Sequence, residues 1–132
     1  MLAPPLTMQG LHLTADLRDC AGAAALLTDT EALRALCLAA VADAGLLAVS
    51  ELFHRFDPHA DRQTGIKGVV LLAESHLAVH TWPEIGGVTI DAYVCNFGAD
   101  NSQRARRLMD ALIAAFAPRQ LVRQQIERSS PV

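Results

Sequence analysis

The sequence predicts an α+β fold, a two-layer sandwich in which a mainly antiparallel β-sheet carries two helices on one face. Three observations predict it. Two segments have apolar residues at helical spacing, four extended runs lie close together between them, and 52% of the 132 residues are hydrophobic, which is enough for one core. We therefore expect a single domain over residues 9–127, with short tails at 1–8 and 128–132.

Periodicity defines the first strand and the first helix. Residues 11–17 alternate apolar and polar side chains, which is typical of a strand with one buried face. Asp29 or Thr30 can cap a helix, and Gly45 stands where a helix commonly ends. The apolar stripe of this helix recurs at steps of three and four residues and consists of Leu33, Leu36, Cys37, Ala40 and Val41.

Four more strands and a second helix follow. The strands are expected over residues 46–56, 66–74, 76–82 and 87–95. Asn101 or Ser102 can cap the helix, Pro118 ends it, and residues 120–126 can form a last strand. The inner face of this helix is apolar and consists of Ala105, Leu108, Met109, Leu112, Ile113 and Phe116. The expected order is β-α-β-β-β-β-α-β.

The sheet face away from the helices is polar. On the strand 87–95, the side chains that alternate with the apolar ones are Thr89, Asp91, Tyr93 and Cys95. On the preceding strand, His76 and His80 share a face. Because buried polar groups need partners, this open face is expected to meet solvent, to form a dimer contact or to hold a functional site.

Charge and composition exclude several partners. The formal net charge is −3, so we do not expect nucleic acid to bind, and the cluster Arg104, Arg106 and Arg107 is interpreted as the wet face of the second helix. No run approaches the ~20 apolar residues of a membrane span, and the first ten residues lack the pattern of a secretory signal. The three cysteines include no C-x-x-C pair, which predicts free thiols and a cytoplasmic protein.

Taken singly, the polar residues allow plain interpretations. Ser75 alone is typical of a turn, and Cys95 alone is typical of a small buried residue, as Cys20 and Cys37 are expected to be. His76 and His80 with Cys95 allow a zinc site, but no fourth ligand is indicated, so no metal is expected.

The strongest local signal is the segment AESHLAVHTWPE, residues 73–84. It resembles the self-processing segment of the bacterial-type S-adenosylmethionine decarboxylases, the small pyruvoyl-dependent enzymes of polyamine synthesis. The runs FHRF at 53–56 and DAYVC at 91–95 support the resemblance, as does the order of elements. It implies a proenzyme that cleaves itself between Glu74 and Ser75 into residues 1–74 and 75–132.

The resemblance also implies a role for each matched residue. Ser75 becomes a covalent pyruvoyl group, because its hydroxyl attacks the preceding carbonyl and the resulting ester eliminates and hydrolyses to a ketone. That ketone takes up the electrons released with carbon dioxide from the substrate. His80 matches the processing base and Cys95 the proton donor. Glu84 matches the carboxylate that holds the ribose hydroxyls, and Phe56 the ring that stacks on adenine.

Strand alternation sets a geometric condition on this mechanism. Ser75 and His80 face opposite ways in an unbroken strand, so a bend or bulge is expected at the Glu74–Ser75 junction, where it would strain the scissile bond. A symmetric contact between two copies over the open face would exclude water near His80 and Cys95. We therefore expect a homodimer of cleaved units.

Three departures from the family pattern are present. The 57–68 loop is longer than the usual family loop, and Asn96-Phe97-Gly98 follows Cys95 in place of the usual Gly-Asp. Lys67 stands where the family has a serine that assists processing, and Thr64 is the nearest hydroxyl alternative.

Two alternative functions follow from these departures. One is a pyruvoyl-dependent ornithine or arginine decarboxylase, in which Asp57, Asp61 and Asp100 bind a distal amine or guanidinium. The other is an unprocessed homologue that acts as a partner or regulator, as Lys67 suggests.

Overall fold

The computed structural model describes residues 7–56, 64–96 and 99–131, and within them it confirms the α+β sandwich. The strands are β1 (Thr7–Cys20), β2 (Ala48–Arg55), β3 (Ile66–Leu72), β4 (Ser75–Trp82), β5 (Gly87–Cys95) and β6 (Pro118–Pro131). The helices are α1 (Ala25–Thr28), α2 (Thr30–Asp43) and α3 (Ser102–Phe116), and a turn of 3-10 helix spans Pro83–Ile85. The strands form one antiparallel sheet in the order β2-β3-β4-β5-β1-β6.

Helix α2 begins and ends as predicted, whereas the N-cap residue of α3, Asn101, makes no side-chain capping hydrogen bond. The Asp29 carboxylate caps α2 by accepting hydrogen bonds from the backbone N–H groups of Glu31 and Ala32. Gly45 follows this helix with a φ of 81°, a left-handed conformation that glycine adopts without strain. At the other end of the chain, α3 stops at Phe116, and Pro118 begins β6.

Apolar residues from both layers meet on one face of the sheet. The helix stripes supply Leu33, Cys37, Leu108, Leu112 and Phe116, each at most 1% exposed. The sheet supplies the alternating apolar residues of β1, β3, β4 and β5. As expected for this core, Cys37 is fully buried, and burial raises the pKa of its thiol to about 12. None of the helices in the described ranges is long and apolar enough to cross a membrane.

Three features differ from the sequence prediction. The helix α1 was not predicted, because a stretch of four residues has no period to recognise; the buried Thr81 hydroxyl ties it to the sheet by donating to the Leu27 carbonyl. Strand β1 begins at Thr7, two residues inside the predicted N-terminal tail. Strand β6 extends to Pro131 and includes most of the predicted C-terminal tail, since it pairs with β1 over almost its whole length.

Candidate active site

The hairpin between β3 and β4 places Ser75 directly after a tight turn. Leu72 pairs with Ser75, so only Ala73 and Glu74 form the turn. Ser75 has a φ of 156°, a value that residues with a side chain rarely adopt. The expected irregularity at the Glu74–Ser75 junction is therefore present, as a two-residue turn followed by a strained serine backbone.

Hydrogen bonds hold this turn from two sides. The backbone N–H of Cys95 donates to the carbonyl oxygen of Glu74 at 2.8 Å. On the other side, the N–H of Ala73 donates to the Leu47 carbonyl at 2.8 Å, and the Leu47 N–H donates to the Glu74 carboxylate at 3.2 Å. The carbonyl that precedes Ser75 is thus fixed in place, and a backbone donor points at its oxygen.

Cys95 ends β5 beside this turn. By strand alternation its thiol lies on the open face, next to Tyr93 and half-buried, as the sequence predicted. A cavity of about 450 Å³ opens here, lined by Ala73, Glu74, Cys95, Ala99, Asn101 and Arg104. We call this region, with Ser75, the cleavage end of the sheet.

A second group of polar and aromatic side chains lies on the open face at the opposite end of β4. Its members are His54, Phe56, Lys67, His80 and Trp82, and we call them the imidazole end. Lys67 pairs directly with His80 across β3 and β4, and with His54 across β2 and β3. The Lys67 ammonium lies 5.3 Å from the centre of the Phe56 ring, and the His80 ring lies 5.6 Å from the Trp82 ring.

The two ends are too far apart for Ser75 and His80 of one chain to touch. Strand β4 pairs in unbroken register with both neighbours from Ser75 to Trp82. At a rise of ~3.3 Å per residue, the five-residue step from Ser75 to His80 spans roughly 16 Å. Ser75 also shares its cross-strand row with Leu72 and Val94, which are buried on the helix face. The bend expected in the sequence analysis therefore does not bring the two residues together.

The other predicted residues lie at or near the imidazole end. Phe56 is 43% exposed rather than part of the core, and Glu84 is exposed in the 3-10 turn after β4. Thr64 is buried, and its hydroxyl accepts a hydrogen bond from the Arg55 side chain at 2.8 Å. Neither Thr64 nor Lys67 is beside the Glu74–Ser75 junction.

Of the remaining acidic candidates, only Asp100 lies within the described residues. Asp57 and Asp61 lie outside the described residues, as do Phe97 and Gly98. Asp100 is exposed, and hydrogen bonds from the backbone and hydroxyl of Ser102 lower the pKa of its carboxyl group.

A cluster around Tyr93 lies between the two ends. The Tyr93 ring has His12 on one side and His76 on the other, with ring centres 5.9 and 5.8 Å away. His12 contacts the Asp91 carboxylate at 3.1 Å, and the Arg128 guanidinium lies 4.9 Å above the Tyr93 ring. No group of three metal-ligating side chains occurs within the described ranges, so the zinc alternative has no site there.

Sequence reasoning missed Asn96 and Asn101. The Asn101 side chain donates to the Cys95 carbonyl and accepts from Arg104, and the Asn96 side chain accepts from the Asn101 backbone N–H. Arg104 and Arg107 are exposed, as the wet-face interpretation predicted, while Arg106 is partly covered and donates to Gln125. Two asparagines within six residues of a strand end are a weak signal, because asparagine is common in any loop.

Comparison with known proteins identifies relatives over most of the chain. The family model described as S-adenosylmethionine decarboxylase matches residues 11–129. The S-adenosylmethionine decarboxylase proenzyme of Aquifex aeolicus is 40% identical over 119 residues, which are 90% of this chain and 80% of the relative. The proenzyme of Pseudomonas paraeruginosa is 36% identical over 108 residues, 82% of this chain and 63% of the relative.

A solved structure agrees with these matches. The crystal structure of the adenosylmethionine decarboxylase from Aquifex aeolicus superimposes with a TM-score of 0.78 and 38% sequence identity. The match covers 92% of this chain and 91% of that one. The similarity therefore extends through the whole sheet, including both ends described above.

Proposed function

The chain belongs to the S-adenosylmethionine decarboxylase family, and we propose that it cleaves itself at Glu74–Ser75 and then decarboxylates S-adenosylmethionine, giving the aminopropyl donor for spermidine. The names of the family and of the relatives compared favour this substrate over ornithine or arginine. The unprocessed regulator is likewise disfavoured, because both curated relatives are named proenzymes.

The hydrogen bond from Cys95 N–H to the Glu74 carbonyl is the observation that carries the proposal. In self-cleavage the Ser75 hydroxyl attacks the Glu74 carbonyl carbon, and negative charge develops on the carbonyl oxygen. A backbone donor 2.8 Å from that oxygen stabilises the charge. The unusual φ of Ser75 adds strain that cleavage relieves.

The cavity at the cleavage end fits a reactive group at residue 75. Its lining includes Glu74, the residue before Ser75, and Cys95, so a substrate that enters it lies beside the scissile junction and Cys95. The pyruvoyl group formed from Ser75 would supply a ketone that condenses with the substrate amine and accepts the electrons released with carbon dioxide. Cys95 then returns a proton to the substrate carbon. Neither role involves a metal.

His80 acts on the Ser75 of a second copy. It lies roughly 16 Å along β4 from its own Ser75, beyond the reach of an imidazole. The open face that carries His80 also exposes large apolar side chains: Leu52 is 68% exposed, Leu71 47% and Ile126 48%. A homodimer that covers this face buries those residues and brings the partner's His80 to the cleavage end.

Lys67 belongs with His80 in this arrangement. It pairs with His80 on the open face, so the two residues approach the same Ser75 from the partner, and the ammonium group assists processing in place of the family's serine. The Thr64 hydroxyl is occupied by Arg55, which favours Lys67 over Thr64 in this role. Phe56 and Glu84 of the same end would then stack on the adenine and hold the ribose hydroxyls of the substrate.

Mass spectrometry of the purified protein tests the proposal. We expect two fragments, residues 1–74 and 75–132, and we expect the second to react with hydroxylamine because it begins with a ketone. Processed protein should then release carbon dioxide from S-adenosylmethionine but not from ornithine or arginine. An intact chain after prolonged incubation would leave only the regulatory alternative.

A further inference from the structure

Asn101 is a buried asparagine that uses its whole carboxamide. It is 5% exposed. Its Nδ2 donates to the backbone carbonyl of Cys95 at 3.1 Å, and its Oδ1 accepts from the Arg104 guanidinium at 2.8 Å. A buried amide with both ends bonded has a single orientation, because any rotation leaves a polar atom unpaired.

Asn96 completes the network from the other side of Cys95. The Asn96 side chain accepts a hydrogen bond from the Asn101 backbone N–H at 2.8 Å and donates one to the Ser102 hydroxyl at 3.0 Å. Its own backbone N–H donates to the Gln9 carbonyl. The end of β5 is therefore fastened to both β1 and the start of α3.

Helix capping does not explain the Asn101 side chain. Asn101 occupies the N-cap position of α3, yet its side chain makes no capping hydrogen bond. The Asp100 carboxylate instead accepts from the Ser102 N–H at 2.9 Å in the first turn. The Asn101 carboxamide is turned toward Cys95, where a capping residue would turn toward the helix.

We propose that Asn101 is a positioning residue for both chemical steps at Cys95. Its side chain fixes the Cys95 carbonyl, and the Cys95 N–H in turn holds the Glu74 carbonyl that Ser75 attacks. The same fixation sets the direction of the Cys95 thiol. The inference rests on the proposed self-cleavage and extends it to a residue that lines the cavity beside Cys95 but does not contact the scissile bond.

The test compares Asn101→Asp with a distant variant of similar stability. Asn101→Asp keeps the shape and the contact to Arg104 but replaces the donor with an oxygen facing the Cys95 carbonyl. We expect self-cleavage of fresh proenzyme to slow by roughly tenfold, the effect of one lost buried hydrogen bond. We also expect fewer turnovers before self-inactivation, because protonation is misdirected. Asp29→Ala, which removes the α2 cap, should lower the Tm without either effect.

A second variant tests the same inference in case Asn101→Asp does not fold. Arg104→Ala removes the contact that orients the Asn101 amide together with one side chain of the cavity lining, and Arg104 is exposed, so the fold should tolerate the change. Its cleavage should slow by about twofold to threefold. Wild-type cleavage rates in both variants would overturn the inference, as would a loss of Tm alone. An uncleaved wild-type chain measured in parallel would instead reject the proposed function itself.

Discussion

The cleavage end and the imidazole end of the sheet lie at the two ends of β4 and differ in how they are held. At the cleavage end, hydrogen bonds from Leu47 before β2, from β5 and from Asn101 at the N-cap of α3 hold the turn and Cys95. At the imidazole end, Lys67 lies over the Phe56 ring and pairs with His80 across β3 and β4, on an open surface. The first end is held by hydrogen bonds within one chain, whereas the second lies open. This difference is the basis of the proposed division of the reactive site between two copies.

Removing the nucleophile tests the cleavage end and has the largest expected effect. Ser75→Ala should leave an intact chain with no decarboxylase activity, because no hydroxyl remains to attack the Glu74 carbonyl. Mass spectrometry and carbon dioxide release measure the two losses. Ser50→Ala, which alters an exposed serine of β2, serves as the control and should cleave normally. Normal turnover by the Ser75 variant would contradict the whole mechanism.

Mixing two inactive chains tests the division between copies. His80→Ala alone should remain uncleaved. When it is co-expressed in equal amounts with Ser75→Ala, roughly half of the His80→Ala chains should pair with a copy that still has His80 and become cleaved. Mass spectrometry distinguishes the two chains.

The control for this mixture is a chain that carries both substitutions. It forms the same pairs but brings no imidazole, so it should rescue nothing. If the His80→Ala chain stays uncleaved with either co-expressed chain, then His80 acts within its own chain or not at all.

Changing the thiol separates cleavage from turnover at the cleavage end. Cys95→Ser should still be processed, because the backbone N–H that holds the Glu74 carbonyl is unchanged. Turnover should fall by roughly 100-fold, the usual effect of a lost proton donor, and the enzyme should inactivate itself during the reaction. Cys37→Ser, a change at a fully buried thiol, should lower stability instead. Unaltered kinetics and lifetime in the Cys95 variant would remove this residue from its role.

A charge introduced on the open face tests whether this face forms the proposed dimer contact, and it has the smallest expected effect. Leu71→Glu should weaken self-association by roughly tenfold, since the interface would have to bury an unpaired carboxylate. Sedimentation over a range of concentrations measures the change. Ala114→Glu adds the same charge to the exposed side of α3 and should leave association intact. Identical sedimentation of the two variants would place the dimer contact elsewhere.

Much of the fold is present in local patterns, and the exceptions have physical causes. Strand β5 and helix α3 were predicted closely because Val88, Ile90 and Leu108 belong to stripes with a clear period. The length of β6 was not predicted, because residues 121–129 are exposed and carry no alternation of buried and exposed positions. The extended conformation of β6 depends on its pairing with β1, and no local sequence pattern indicates that pairing.

The candidate site was likewise predictable only where local sequence patterns indicate it. Ser75 and Cys95 stand in recognisable segments, and in the structure the Cys95 N–H donates to the carbonyl that precedes Ser75. Strand alternation correctly predicted that Ser75 and His80 face opposite ways. The predicted bend does not bring them together, because the rise per residue along a strand already places them roughly 16 Å apart. The bond between Asn101 and Cys95 depends on where α3 docks, which is a tertiary feature.

The strand order has a consequence for the cut itself. The segment before Ser75 contributes β1, β2 and β3, while the segment after it contributes β4, β5 and β6. In the sheet, β1 lies between β5 and β6, so each segment is clasped by the other. Cleavage of the peptide bond after Glu74 would therefore not separate the two fragments. They remain hydrogen-bonded in one sheet, and separating them requires the sheet to unfold.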